Sequence, residues 1–206
     1  NHSMLSTARQ RCSPAPTGLR FLSRGALAGG FTKEALQNWA SNHWKEEQPP
    51  DQKPPYVDLY HQNVSKECTS WLESHPHPSS ELARAFFGSI RFAPERFLLT
   101  PFLYRESKLL DEFTLDSKFL LWKVVSKTPH EMILTWSGVS SRGCTMVAFD
   151  PSLRRVYHGN CLEAKIIDGS ALAKAMLPFH EWYAQFLLAG MVKKLESEAT
   201  AASKVV

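Results

Sequence analysis

The chain has 206 residues, a formal net charge of +4 and an apolar fraction of 43%. The charge is unevenly spread, because residues 1–33 hold four arginines, one lysine and no acidic residue, which leaves 19 basic and 20 acidic side chains for residues 34–206. A nearly neutral body lacks the basic face that displaces counterions from nucleic acid, so the composition argues against a nucleic-acid partner.

The first 30 residues have the composition of a mitochondrial transit peptide, rich in arginine and serine and free of acid. On a helix, Arg20 and Arg24 stack on one side and leucines on another. The stretch "LRFLSRGALAGG" fits a two-step cleavage pattern that ends near Gly30. We therefore predict a mitochondrial protein of the matrix, with residues 1–30 cleaved or disordered. A disordered basic tail is the alternative.

Residues 31–55 are predicted to form a short helix and a proline-rich linker. Thr32 can cap a helix that carries Leu36, Trp39 and Trp44, and the prolines of "KEEQPPDQKPP" end it. Two tryptophans are costly to leave in water, which favours docking of the helix on the body over a free arm. A protein partner bound through residues 31–46 is also consistent with this pattern.

Residues 56–198 are predicted to form a single α+β domain, followed by a tail over 199–206. The first strand is expected at 56–64, where β-forming residues alternate. A helix capped by Ser79 or Ser80 is expected next, and a second helical segment starts at Pro94.

From Lys118 onward the apolar period changes to two. This alternation predicts strands over 119–127, 131–138, 144–150 and 154–166, and their short connections predict an antiparallel meander. Ser170 can cap a long last helix, and Pro178 is expected to kink this helix or to begin a second segment. The fold class predicted is α+β, with an antiparallel sheet packed around a long C-terminal helix in a helix-grip arrangement.

The sequence contains no G-x-S-x-G, no P-loop and no G-x-G-x-x-G, so we predict no catalytic residue and no cofactor. His75 and His77 flank a proline, and His158 with Cys161 is an isolated pair, so we predict no metal. The four cysteines have no C-x-x-C spacing; Cys12 lies in the predicted transit peptide, and the other three are expected to be reduced and mostly buried. The apolar run at 186–192 is too short for a transmembrane segment, although peripheral membrane contact stays open.

Aromatic residues concentrate where the predicted sheet meets the last helix. Small-molecule pockets are mostly apolar with a few polar groups, and this seam fits that description. The candidate ligand-binding residues are Trp122, Trp136, Arg142, Tyr157, His158, Phe179, His180 and Tyr183. Arg142, His158 and His180 would supply the polar contacts.

Three segments, "ELARAFFGSIRF", "FLLWKVVSKTPHEMILTWSG" and "LPFHEWYAQFLLAGM", resemble an uncharacterised, mainly bacterial family, the domain of unknown function 2867. The similar positions are Ala83 to Phe87; Val124, Thr128, Glu131 and Leu134; and Pro178 to His180. The resemblance extends over residues 56–195. Through this family it suggests the START/polyketide-cyclase (SRPBCC) superfamily, whose members hold hydrophobic ligands between a sheet and a C-terminal helix. The resemblance carries no catalytic position over to this chain.

Three functions are consistent with these observations. The leading hypothesis is non-catalytic binding of a hydrophobic small molecule, of lipid or quinone type, in a sheet–helix cavity in mitochondria. The first alternative is a protein-interaction or assembly module with a filled core. The second alternative is a cyclase- or hydratase-like enzyme that uses His180 with a carboxylate such as Glu163 or Glu181.

Overall fold

The structure, a computed structural model, describes residues 30–45, 53–101, 108–137 and 142–204. The predicted transit peptide lies outside these ranges except for Gly30. The helices are α1 (Lys33–Trp44), α2 (Lys66–Glu73), α3 (Pro78–Gly88), α4 (Ala93–Leu99), α5 (Ala164–Asp168) and α6 (Ala171–Ser203), with a 3₁₀ turn over Ile90–Phe92. The strands are β1 (Tyr56–Asn63), β2 (Lys118–Phe119), β3 (Trp122–Lys127), β4 (Glu131–Ser137), β5 (Arg142–Asp150) and β6 (Arg155–Leu162).

All six strands form one antiparallel sheet in the order β1-β6-β5-β4-β3-β2. Strands β2 to β6 are sequential neighbours and therefore form a meander, while β1 returns to pair with β6. The sheet and the long C-terminal helix confirm the predicted α+β class. Helices α2, α3 and α4 and strands β2 to β5 lie between β1 and β6 in the chain, so the β1–β6 pair joins two distant segments of the domain.

The helices α2, α3 and α6 cover one face of the sheet, which we call the inner face. Side chains of β5 and β6 such as Val147, Phe149 and Val156 pack there with Phe86, Leu187 and other buried residues of the helices. Neighbouring residues of a strand point to opposite faces. The alternate residues of the same strands therefore lie on a second, outer face.

The predicted helix at 31–44 docks on this outer face as α1. Its N-cap is Thr32, whose Oγ1 accepts a hydrogen bond from the Ala35 amide at 3.1 Å, and Leu36, Ala40 and Trp44 are buried against the sheet. A Cβ atom at Gly159 would lie 2.8 Å from Leu36, so the glycine permits the close approach. A partner bound through residues 31–46 would therefore have to contact the polar side of this helix.

The buried thiols of Cys144 and Cys161 lie beneath α1. The two residues are opposite each other on β5 and β6, and Sγ of Cys161 lies 3.9 Å from the carbonyl oxygen of Leu36. Burial raises the pKa of Cys161, and contact with Cys144 adds to the effect. Both cysteines, like Cys68 on the inner side, are free thiols.

Three predicted boundaries differ from the structure. The strand predicted over 154–166 ends at Leu162 and is followed by helix α5. The expected strand at 119–127 is two strands, since Leu120 takes a positive φ of 53° and the chain reverses between Phe119 and Trp122. Neither Ser79 nor Ser80 caps α3, which begins at Pro78. Both serines are buried in its first turn, where Ser79 Oγ donates to the carbonyl oxygen of Thr128 at 2.6 Å.

Two helical features were also predicted differently. Helix α2 was not predicted; Ser65 caps it, and only eight residues carry its buried face, including Cys68 and Leu72. Helix α6 begins after its predicted cap, Ser170, and runs without a break through Pro178 to Ser203, beyond the expected start of the tail. Proline removes one backbone hydrogen bond of a helix, and the long helix on either side tolerates this loss.

Helix α6 has two halves with different surroundings. Residues 171–183, which we call the overhang, contain no buried residue, although Leu172, Phe179 and Trp182 are among them. Residues 184–203, the packed half, contain all eight buried residues of the helix. At Gly190 the packed half passes so close to Arg91 that an added Cβ atom would lie 2.9 Å from the arginine side chain. The candidate site lies where the overhang meets the packed half.

Candidate functional site

The structure places the eight candidate residues in four different locations. Trp122 and His158 lie on the inner face, where His158 contacts Phe86. His180, Phe179 and Tyr183 belong to the overhang beside that face. Tyr157 lies on the outer face among residues that pack around α1. Trp136 and Arg142 lie at the end of the sheet and line a groove of about 560 Å³ together with Trp44 and Lys118.

A chain of hydrogen bonds crosses the inner face at this end of the sheet. Trp122 Nε1 donates to Thr145 Oγ1 at 3.1 Å, and Thr145 Oγ1 donates to Asn160 Oδ1 at 3.3 Å. The backbone amide and the side-chain amide of Asn160 both donate to Asp58 Oδ1 at 3.0 Å. The register places these residues opposite each other, since Asn160 pairs with Thr145 on one side and with Asp58 on the other.

This series of hydrogen bonds ends in a close contact between Asp58 and His180. Oδ2 of Asp58 and Nε2 of His180 lie 2.7 Å apart, although their angle departs from that of a linear hydrogen bond. Asp58 is 1% exposed, whereas the His180 side chain is 31% exposed. The imidazole therefore connects a buried carboxylate to the solvent.

Asp58 was missed by the sequence analysis, and the two carboxylates suggested as partners of His180 lie elsewhere. Glu163 binds Arg142 at 3.0 Å and Lys165 at 3.0 Å. Glu181 accepts a hydrogen bond from Tyr56 Oη at 2.8 Å. A signal was present, because Asp58 has the same parity in β1 as Tyr56 and Tyr60 and is the acidic residue of a strand rich in β-formers.

His158 is buried and neutral beside the series of hydrogen bonds that leads to Asp58. Burial lowers its pKa to about 4. Its Nε2 lies 3.3 Å from the side-chain amide nitrogen of Asn160, and its Nδ1 lies 3.3 Å from the carbonyl oxygen of Met146. The asparagine nitrogen can only donate, so Nε2 accepts and Nδ1 carries the proton. His158 thus holds Asn160 in the orientation that serves Asp58.

The end of the overhang is also tied to α4. Tyr183 donates a hydrogen bond to the carboxylate of Glu95. Burial is the largest cause that raises the pKa of Tyr183, and it also raises the pKa of Glu95. One turn further along α6, Arg91 donates to the carbonyl oxygen of Phe186 at 2.9 Å and covers its ring.

The middle of the inner face is filled by aromatic side chains. Phe86 and Phe87 of α3 are buried against the sheet, and the Phe87 ring lies 4.9 Å from that of Phe119 and 5.4 Å from that of Trp122. Phe92 and Phe113 pack on the same cluster. A ligand beside Trp122 would therefore have to lie at the edge of this cluster, toward the overhang.

Large exposed apolar side chains concentrate on the overhang and the adjacent α4 region. Within the described ranges, seven of the nine such residues lie there, which indicates a patch rather than scattered exposure. They are Ile90, Phe97, Leu98, Leu172, Met176, Phe179 and Trp182. On a helix, residues 172, 176 and 179 share one side, and the rings of Phe179 and Tyr183 stack with centroids 6.0 Å apart.

No protein-family model, curated protein or solved structure matches the chain. Within residues 30–45, 53–101, 108–137 and 142–204, no group of three or more histidine, cysteine or acidic side chains is placed to hold a metal ion. None of the helices in those ranges is long and apolar enough to span a bilayer.

Proposed function

We propose that this protein binds a small amphipathic molecule at the overhang of α6, without transforming it. The apolar part of the ligand lies along the exposed aromatic stripe, and its polar part reaches His180. The observation that carries the proposal is the position of the His180–Asp58 pair at the end of that stripe, between the buried core and the solvent. We extend the proposal to a lipid- or quinone-type ligand in mitochondria.

The exposure of the stripe supports the apolar half of the proposal. Leu172 is 72%, Met176 46%, Phe179 53% and Trp182 56% exposed. Contiguous exposed apolar surface on a soluble domain is typical of a binding site. The helix turn that follows is fixed by Tyr183 and Arg91, so the stripe is held on a structured element.

The buried carboxylate of Asp58 supports the second part of the proposal, the contact of His180 with a polar group of the ligand. Burying a carboxylate costs several kcal/mol unless it is paired and hydrogen-bonded, and an apolar core of the same shape is often as stable. The fold therefore does not require Asp58 at this place. The pair thus places a half-exposed imidazole, backed by a buried carboxylate, where a polar group of a ligand can reach it.

Mass spectrometry of the protein purified without denaturation tests the proposal. We expect a bound organic species in the unmodified protein and its loss in the double variant Phe179→Ala/Trp182→Ala. The control Leu115→Ala/Leu153→Ala removes two exposed leucines outside the overhang and should retain the species. A purified protein without any bound species above the blank would contradict the proposal.

Mitochondrial location is tested separately, through the basic residues of the N-terminal segment. Fused to a fluorescent protein, residues 1–33 should direct it to mitochondria. Replacement of Arg9, Arg11, Arg20 and Arg24 by glutamine should abolish the targeting, because the arginine-rich composition typical of transit peptides is lost. Equal targeting of both fusions would contradict the assignment.

A second candidate function is acid–base catalysis, which the contact of Asp58 with His180 favours. A carboxylate that orients an imidazole is a common arrangement for a general acid or base. Hydration of an activated carbon–carbon double bond is the reaction class to assay. Turnover that survives His180→Gln unchanged would exclude this candidate, whereas loss of turnover with retained ligand binding would favour it.

A further inference from the structure

One ring nitrogen of His180 contacts Asp58, and the other is available for a hydrogen bond to a ligand. Nε2 lies 2.7 Å from the Asp58 carboxylate and must carry a proton, since two facing lone pairs would repel each other at that distance. Nδ1 makes no hydrogen bond to any residue in the described ranges. Met176 and Tyr183 lie one helical turn before and after His180, so the imidazole lies next to the exposed stripe.

The charges around His180 disfavour an anionic ligand. Asp58 is in contact with the ring, and Glu181 is its neighbour in the chain. Within the described ranges, no lysine or arginine nitrogen lies within 4.0 Å of either carboxylate. The buried His158 beside them is neutral. A carboxylate or phosphate that approached Nδ1 would therefore meet two negative groups and at most one positive one.

A hydroxyl suits this nitrogen in either protonation state. It donates to Nδ1 of a neutral imidazole and accepts from Nδ1–H of an imidazolium, whereas an ether or a carboxylate can only accept. We propose that the ligand of the overhang is a neutral molecule with a hydroxyl group that hydrogen-bonds to His180 Nδ1. This inference rests on the proposed function and names the class of its ligand: an apolar alcohol or phenol rather than a fatty acid or a phosphate ester. Among quinone-type ligands, only the reduced hydroquinone form carries the required hydroxyl group.

Three probes of one shape test the inference: naphthalene, naphthol and naphthoate. Their affinities for the full chain are measured near neutral pH by calorimetry. Naphthol is more polar than naphthalene, so tighter binding of naphthol reports a polar contact. We expect naphthol to bind about tenfold tighter than naphthoate and about fivefold tighter than naphthalene, as one hydrogen bond allows.

The variant His180→Leu should make naphthol bind no tighter than naphthalene. His75→Leu is the matched control, because His75 follows the end of α2 and packs on Trp71 rather than on the overhang. This variant should preserve the order of affinities. Since His180→Leu leaves Asp58 without its partner, the double variant Asp58→Asn/His180→Leu removes the charge and the imidazole together. Circular dichroism shows whether His180→Leu or the double variant is folded, and the affinities are measured with the folded one.

The outcomes separate the inference from the function on which it rests. If none of the three probes binds, the overhang is not a small-molecule site and the proposed function fails. If naphthalene and naphthol bind equally, or naphthoate binds tightest, the overhang binds ligands but the hydroxyl assignment is overturned. A preference for naphthol that survives the loss of His180 would also overturn it.

Discussion

The two halves of α6 are built from similar residues but have opposite surroundings. The overhang carries Leu172, Met176, Phe179 and Trp182 in solvent, while the packed half buries Leu187, Met191, Leu195 and other residues. Both halves are helical and rich in apolar residues. What differs is whether neighbouring elements lie over them. Exposure in this helix is therefore decided by the tertiary structure rather than by the composition of the segment.

The boundary between the halves coincides with the polar contacts of the site. His180 and Glu181 contact β1, Tyr183 contacts α4, and burial of the helix begins at Ala184. The polar residues thus fix the position at which the helix leaves the core. Four predictions follow this comparison along the helix and its surroundings.

The largest effect is expected from a matched pair of methionines. Met191 of the packed half is fully buried, whereas Met176 of the overhang is 46% exposed. Met191→Ala should lower the free energy of unfolding by about 2–5 kcal/mol, because it removes buried contacts and leaves a cavity. Met176→Ala should cost less than about 0.5 kcal/mol. Denaturant unfolding measures both, and equal losses would show that the overhang is packed in solution.

The next prediction concerns pH and the buried His158. Its pKa is about 4 in the folded protein and about 6.5 when unfolded. Between these values the unfolded chain binds more protons, so stability should rise with pH through this window, by up to about 3 kcal/mol. The raised pKa of Glu95 acts in the opposite direction. His158→Gln should flatten the rise seen in unfolding experiments at several pH values, and the control His77→Gln should not.

A smaller effect is expected from Glu196 in the packed half. Its carboxylate accepts hydrogen bonds from the amide of Ser65 at 2.7 Å and from the Ser65 hydroxyl at 2.6 Å, at the start of α2. Glu196→Gln should cost about 1–2 kcal/mol, since the new NH2 group cannot accept one of the two hydrogen bonds and the charge that strengthens the other is lost. Glu198→Gln removes a surface pair with Lys194 and should cost under about 0.5 kcal/mol. A thermal-unfolding series in which the two variants coincide would contradict the prediction.

The smallest effect on global stability is expected from Pro178 in the overhang. Pro178→Ala restores a backbone donor to the helix. Amide protection of the neighbouring residues should rise by about tenfold, while the global free energy of unfolding should change by less than about 1 kcal/mol. Hydrogen exchange followed by mass spectrometry resolves the two quantities. Unchanged protection would show that the overhang is already as ordered as the packed half.

The sequence was sufficient for the features that depend on local chemistry. Thr32 and Ser170 cap α1 and α6 as predicted, because their side chains satisfy free amides at the helix starts. The alternation of β4 and β5 reflects two differently covered faces and led to the meander. The split at Leu120 depends on one positive φ value at a residue that does not favour it, and propensity could not indicate that.

The candidate site was only partly accessible to sequence reasoning. Asp58 and His180 are far apart in the chain, and their contact depends on the return of β1 to pair with β6, which no local pattern specifies. The sequence was sufficient to show that the candidate residues of β6 lie on different faces of the sheet. Tyr157 and His158 are neighbours in one strand, and neighbours point to opposite faces, so both cannot line one cavity.

The burial of Cys144 and Cys161 beneath α1 has a practical consequence. A docked α1 shields both sulfurs, and the raised pKa of Cys161 keeps that thiol in its unreactive protonated form. Alkylating reagents should therefore modify this pair only during the moments when the N-terminal helix is lifted from the sheet. The labelling rate of these two native cysteines therefore measures how often α1 detaches from the sheet, and no reporter group has to be attached.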